Sequence, residues 1–166
     1  MHELVILVAK YFVIVPLIIV AFVWLQLEQK DKLRFVLLAV ASGIVALVLA
    51  KIGSKLYYDP RPFITGHFTP YFPHANDNGF PSDHTLLSAW LGFLALTRQR
   101  RLGALALLFA VLVGGARMIA GVHHLLDIVG SFVCAAVAVG ICCAVLASTQ
   151  QATAAGPDAP NHTPNP

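Results

Sequence analysis

The sequence predicts an all-α fold, a polytopic transmembrane bundle of about five helices. Three observations predict it. Hydrophobic residues fill 58% of the 166 positions and charged residues only 11%, against roughly 25% charged in an ordinary soluble domain. Too few polar side chains are present to cover a water-facing globule of this size. The mean hydropathy is +0.76, and the apolar residues fall in long runs. The remaining polar residues gather at the ends of the runs and in three clusters. These are Lys55-Leu-Tyr-Tyr-Asp-Pro-Arg61-Pro62, then Phe80-Pro-Ser82-Asp83-His84, then Arg117-Met-Ile-Ala-Gly-Val-His123-His124-Leu-Leu-Asp127.

Five runs have the character of spans, over 4–25, 35–50, 82–97, 102–120 and 125–146. A helix needs about 20 residues to cross the hydrocarbon core, so the third run is short. Its start is expected in a pocket slightly below the membrane surface. Met1-His-Glu lacks a basic leader and no small-residue cleavage site follows, so the first run is expected to stay as a helix. Lys30, Lys32 and Arg34 lie between runs one and two, and Arg98, Arg100 and Arg101 between runs three and four. Basic loops are retained in the cytoplasm. The N-terminus, the segment 51–81 and the turn before the fifth run are then outside, and the C-terminus is cytoplasmic. All three polar clusters land on that outer face, a result that uses nothing of their chemistry.

The outer segment carries seven aromatics between Tyr57 and Phe80, as at a membrane interface. Its five prolines, Pro60, Pro62, Pro70, Pro73 and Pro81, oppose a long helix there. One membrane domain is expected over 1–147. The tail, 148–166, is rich in Ala, Pro, Thr, Gln and Asn without apolar periodicity and is expected to be disordered. Cys134, Cys142 and Cys143 share one apolar run, giving neither a disulfide framework nor zinc spacing. The net charge of +3 comes from residues at span ends and in the clusters. That pattern suits local anion binding and no nucleic-acid surface.

His123 and Asp127 are four residues apart where the fifth helix begins, so they share a face. A carboxylate that accepts one imidazole N–H fixes the tautomer and leaves the other nitrogen as nucleophile or base. The same pair can also be a polar helix start stabilised by the helix dipole. Ser82 after Pro81 is an N-cap signal, and a helix N-terminus is also an anion site, with His84 beside it as a proton donor. Lys55, Arg61 and Arg117 suit phosphate oxygens, the arginines as forks and the lysine as a point charge. Lys55 can equally be a residue snorkelling at a span end. Arg117 lies in an apolar run, where an unpaired arginine costs on the order of 2.5 kcal/mol at mid-bilayer and less toward the interface. It requires a partner.

Together these residues resemble the membrane type 2 phosphatidic acid phosphatase superfamily. That signature is a lysine then Arg-Pro, Pro-Ser-Gly-His, and Ser-Arg-x5-His-x3-Asp. Arg61-Pro62, Pro81-Ser82, His84 and Arg117-x5-His123-x3-Asp127 match it in order over about 75 residues. The stretch from His74 to His84, ending Pro-Ser-Asp-His, is similar to the undecaprenyl-diphosphate phosphatase branch. Lys55 stands one residue closer to Arg61 than the signature has it, which makes Lys51 its substitute. Ala116 replaces the serine before Arg117, and the family core has six helices where five are read here.

The resemblance implies a lipid phosphatase needing no metal or other cofactor. Lys55, Arg61, Ser82 and Arg117 would hold the terminal phosphoryl group. His123, oriented by Asp127, would attack and become a phosphohistidine. His84 would protonate the leaving oxygen and then activate water. Asp83, grouped with the phosphate-binding residues, would cap the third helix or tune His84. His67 and His74 are weaker candidates for substrate or water contact, and His124 is expected to point away. The partners expected are the bilayer and a lipid phosphate, undecaprenyl diphosphate first, with phosphatidate, phosphatidylglycerophosphate or lipid A phosphate as alternatives. A lipid-phosphate-binding scaffold is the non-enzyme alternative. A haem or metal protein ligated by His84 and His123 fits the neighbouring arginines poorly, and a transporter finds no inverted repeat.

Overall fold

The computed structural model describes residues 1–154. Its elements are α1 (His2–Tyr11), α2 (Ile14–Gln26), α3 (Gln29–Leu56), the single turn α4 (Pro62–Thr65), α5 (Asp83–Leu96), α6 (Arg100–Ile119) and α7 (Leu125–Ala154). In hydrocarbon the backbone has only itself to bond to, so apolar runs become helices. Among the described residues four stretches are long and apolar enough to cross a membrane: His2–Gln26, Gln29–Leu56, Arg100–Ile119 and Leu125–Thr149.

The first of these is broken at Phe12–Val13. Pro16, one turn on, has no N–H for the Phe12 carbonyl and its ring crowds that carbonyl. Val15 N–H bonds Phe12 O instead, at 3.0 Å. The second run proves longer than 35–50: α3 spans 28 residues, because its Lys- and Arg-bearing flanks are good helix formers that reach the interface. Lys51 and Lys55 therefore sit on its last two turns. α7 likewise continues to Ala154, so 148–154 is helical where a disordered tail was expected. The rest of that expected tail, 155–166, lies outside the described residues.

α5 corresponds to the short third run. Its 14 residues rise only about 21 Å, against about 30 Å of hydrocarbon. It is the central helix of the bundle, packed along α6 and α7 with α2 beyond, and it meets α3 only thinly. Lipid tails are as apolar as side chains, so close packing of small residues drives helix association. The middle layer accordingly joins Ala46, Ala50, Ala89, Ala110, Ala135 and Ala138 with Leu86. Gly103 lets α6 cross the end of α5 so closely that a Cβ there would lie 2.4 Å from Leu96 Cα. The one indole packed across the α3–α5 seam is satisfied, since Trp90 Nε1 donates to Ser42 Oγ at 3.0 Å.

Asn78 organises the outer loop. Its Nδ2 donates to the carbonyls of Ser54 and Tyr57, both at 2.9 Å, where α3 runs out of partners of its own. Its Oδ1 accepts the N–H of Asp59 at 2.9 Å and of Phe80 at 3.0 Å. Phe80 then wedges between α3 and α7, where a Cβ on Gly130 would come within 2.2 Å of its ring. The loop is thus fixed to both helices that flank the site.

Gly103→Ala is expected to lower stability by about 1–3 kcal/mol through overpacking. Gly115→Ala, whose added methyl meets nothing within 4 Å, should not. Thermal unfolding of both variants in one detergent checks the pair.

Candidate active site

The three polar clusters of the sequence converge on one cavity of about 500 Å³ at one end of the bundle. Lys51 and Ser54 of α3, Arg61, His74 and Asp77 of the loop, Asp83 and His84 of α5, Arg117 of α6 and His123 all line it. His123 lies in the turn between α6 and α7, a turn made by Gly121 at φ +76°. It is 3% exposed, and Asp127, on the first turn of α7, is 0% exposed. His123 Nδ1 is 3.1 Å from Asp127 Oδ2. Arg61 Nη1 approaches His123 Nε2 at 3.3 Å, and a guanidinium only donates. Nδ1 therefore carries the proton and the Nε2 lone pair is turned to Arg61 Nη1 at the cavity wall. Burial holds this imidazole below the ordinary histidine range, Arg117 and Arg61 push the same way, and the bond to Asp127 opposes them.

Both arginines are buried. Arg61 donates from Nε to Asp77 Oδ1 at 2.8 Å, from Nη1 to Val122 O at 2.9 Å and from Nη2 to Asn78 O at 3.4 Å. Arg117 donates from Nη1 to Ala9 O at 3.3 Å, beside the break that ends α1, and from Nη2 to His74 Nε2 at 3.0 Å. It also sits 5.7 Å from the centre of the Phe72 ring. Arg117 thus meets only neutral groups through its two Nη atoms, its buried Nε has no partner, and its positive charge is left for an anion in the cavity.

His84 lines the same cavity as His123. Asp83 does so too, as the acidic residue of the first turn of α5. Two expectations are corrected, and the weak candidacy of His67 finds no support. Lys51, not Lys55, reaches the cavity wall, because α3 continues far enough to turn Lys55 outward into an exposed position. Ser82 is completely buried behind the wall, where its hydroxyl accepts from Thr85 Oγ1 at 3.1 Å and its carbonyl accepts from Ser131 Oγ at 2.9 Å. His67 is exposed, at φ +51°, away from the cavity. His124 does face away from the cavity, toward Asp59.

Sequence reasoning undervalued His74 and missed Asp59. His74 is kept neutral first by burial and then by Arg61, Arg117 and His123, and a neutral ring can accept from Arg117. Asp59, 9% exposed, pairs with His124 Nδ1 at 3.1 Å. Its only signal in the sequence is an acid two residues before Arg61.

A second recess of about 350 Å³ opens along the thin seam between α3 and α5. Gly43, Ala46 and Leu47 form one wall and Leu86, Leu87 and Trp90 the other, so it is almost wholly apolar. It shares Leu47 and Asp83 with the polar cavity. An apolar groove at span level thus runs into a cationic pocket at the bundle end.

Comparison with known proteins identifies the family. Residues 31–152 match the profile of the PAP2 superfamily. Undecaprenyl-diphosphatase BcrC of Bacillus subtilis (strain 168) is 30% identical over 135 residues, 81% of this chain and 69% of that protein. Bacitracin transport permease protein BcrC of Bacillus licheniformis is 37% identical over 119 residues, 71% of this chain and 57% of that protein. The chain thus spans about 57–69% of the length of these two relatives. The crystal structure of Aquifex aeolicus LpxE has the same fold, with a TM-score of 0.65 at 21% identity, covering 86% of this chain and 83% of that one. Motif order, apolar spans and a profile match across most of the chain lead to one assignment: this is a membrane phosphatase of the PAP2 superfamily.

Proposed function

We propose that the chain removes the terminal phosphate of undecaprenyl diphosphate, leaving undecaprenyl phosphate, at the outer membrane face. The observation that carries the reading is the junction of the apolar α3–α5 groove with the cavity that holds His123, His84 and two buried arginines. The groove suits a long isoprenoid tail, and the cavity suits the diphosphate. The likeness to a relative named undecaprenyl-diphosphatase supports the choice of lipid. The outer face follows from placing Arg98, Arg100 and Arg101, at the opposite end of the bundle, in the cytoplasm, which also puts the C-terminus there.

Phosphoryl transfer chiefly needs positioning and charge stabilisation. Arg61 and Arg117, with Lys51, grip the non-bridging oxygens of the terminal phosphate. His123 Nε2 attacks phosphorus in line, an N–P bond forms, and the bond to the bridging oxygen breaks. His84 delivers a proton to that oxygen as lipid monophosphate leaves. Asp127 holds the Nδ1–H and steadies the positive phosphoimidazole. Water, deprotonated by His84, then cleaves the N–P bond and releases inorganic phosphate. No step requires a metal ion.

Phosphate release from a panel of undecaprenyl diphosphate, phosphatidate, phosphatidylglycerophosphate and lipid A phosphate, in detergent without divalent metal, should be fastest for the first. His123→Ala should abolish it, and full activity in that variant would sink the mechanism. His84→Gln should cost about 10²–10⁴-fold in kcat.

Leu87→Trp, which fills the groove mouth, should raise KM for the long-chain lipid about tenfold. A short, water-soluble prenyl diphosphate should be unaffected. Equal loss on both substrates would remove the groove from the account.

His123 must be unprotonated at Nε2 to attack. Burial lowers its titration, so activity is retained above that lowered value and lost as pH falls through it. The acid limb of kcat/KM should therefore lie below about 6.5, the ordinary histidine value. A limb at or above 6.5 contradicts the assignment.

A further inference from the structure

Behind the nucleophile, away from the cavity, a second histidine–aspartate pair backs the first. His124 Nδ1 lies 3.1 Å from Asp59 Oδ2. One ligating atom each from Asp59, His124 and Asp127 lie within 4.8 Å of one another. Asp127 is fully buried, and its two oxygens are used unequally. Oδ2 receives His123 Nδ1 at 3.1 Å and the His124 backbone N–H at 2.9 Å. Oδ1 has no partner. The approach of Asp59 is built into the backbone. Gly79 N–H donates to Asp59 O at 2.8 Å, and a Cβ on Gly79 would lie 2.9 Å from Asp127 Oδ2 and 3.1 Å from Asp59 O. Asn78 Oδ1 holds the Asp59 N–H.

Two carboxylates this close and this dry are not both ionised unless a cation joins them; one proton between them removes the repulsion. We propose that Asp59 is a positioning residue of the phosphatase reaction. Its protonated carboxyl donates to Asp127 Oδ1, which keeps Oδ2 turned toward His123 Nδ1. His124, from the same turn as His123, donates to the other Asp59 oxygen and orients the acid. The charged and titratable groups facing Asp59 are Asp127 and His124. Burial and Asp127 raise its titration while His124 lowers it. The proton is therefore held at low pH and lost as pH rises through that raised value. Its loss sets two negative carboxylates against each other and loosens the grip on His123. This inference rests on His123 being the nucleophile.

Two variants and two readouts test it. Asp59→Asn keeps a donor for Asp127 that cannot ionise; Asp59→Leu removes the donor. The expected result with undecaprenyl diphosphate is that Asp59→Leu loses about 10–100-fold in kcat with KM unchanged. Asp59→Asn should keep most of the wild-type kcat. Histidine side-chain ¹⁵N NMR reads the tautomer without substrate. His123 should be Nδ1-protonated in wild type and Asp59→Asn, and mixed in Asp59→Leu. Wild-type kcat together with an unchanged tautomer in Asp59→Leu would overturn the proposal. So would loss of activity in EDTA that a divalent cation restores, since the three ligands would then hold a metal. A wild type that hydrolyses none of the lipid phosphates would defeat the substrate assignment, and the tautomer readout would still decide the role of Asp59.

Discussion

A guanidinium does not shed its charge, so burying one requires acceptors for most of its N–H groups. Arg61 and Arg117 are 5% and 3% exposed, and much of the outer end of the bundle serves to meet them. The break after α1 presents the Ala9 carbonyl, the turn after α6 presents that of Val122, and the loop delivers Asn78 O and the His74 ring. The carboxylates involved are Asp77, 58% exposed and so partly screened by water, and Asp83, which lines the same cavity. Two fixed cations therefore stand over a neutral imidazole with part of their charge uncancelled. That is the preorganised field a migrating phosphoryl group needs, in place before the substrate arrives.

The bundle beneath accommodates this arrangement through small residues. Alanine and glycine bring α5, α6 and α7 close enough to hold the site without a large apolar core. The short α5 begins at the cavity floor, so the polar site reaches into the span region through the bundle interior. The thin α3–α5 contact is the counterpart of that tight side: packing concentrated on one flank of α5 leaves the other flank open.

The apolar runs made the helices legible, and motif spacing made Arg61, His84, Arg117, His123 and Asp127 legible. Helix ends were less so. Composition marks where hydrocarbon stops, but α3 and α7 continue past it because lysine, alanine and glutamine favour helix in water. The choice between Lys51 and Lys55 hangs on that continuation, as the two stand one turn apart. Ser82 reads as a cap and a phosphate ligand alike, and only the folded chain, with Thr85 Oγ1 on its hydroxyl, shows it turned inward. His74 was undervalued and Asp59 missed because their partners, Arg117 and His124, are 43 and 65 residues away. Pairings of that range follow from the folded loop and leave no local periodicity.

On the proposed reading, the open α3–α5 seam also sets what the enzyme senses: a lipid reaches the cavity sideways, with its tail never leaving an apolar environment. The cost of extracting a long chain into water then drops out of the encounter altogether. Turnover would answer to the mole fraction of substrate in its leaflet and to lateral diffusion, and diluting the surface with inert lipid would slow it at constant bulk concentration.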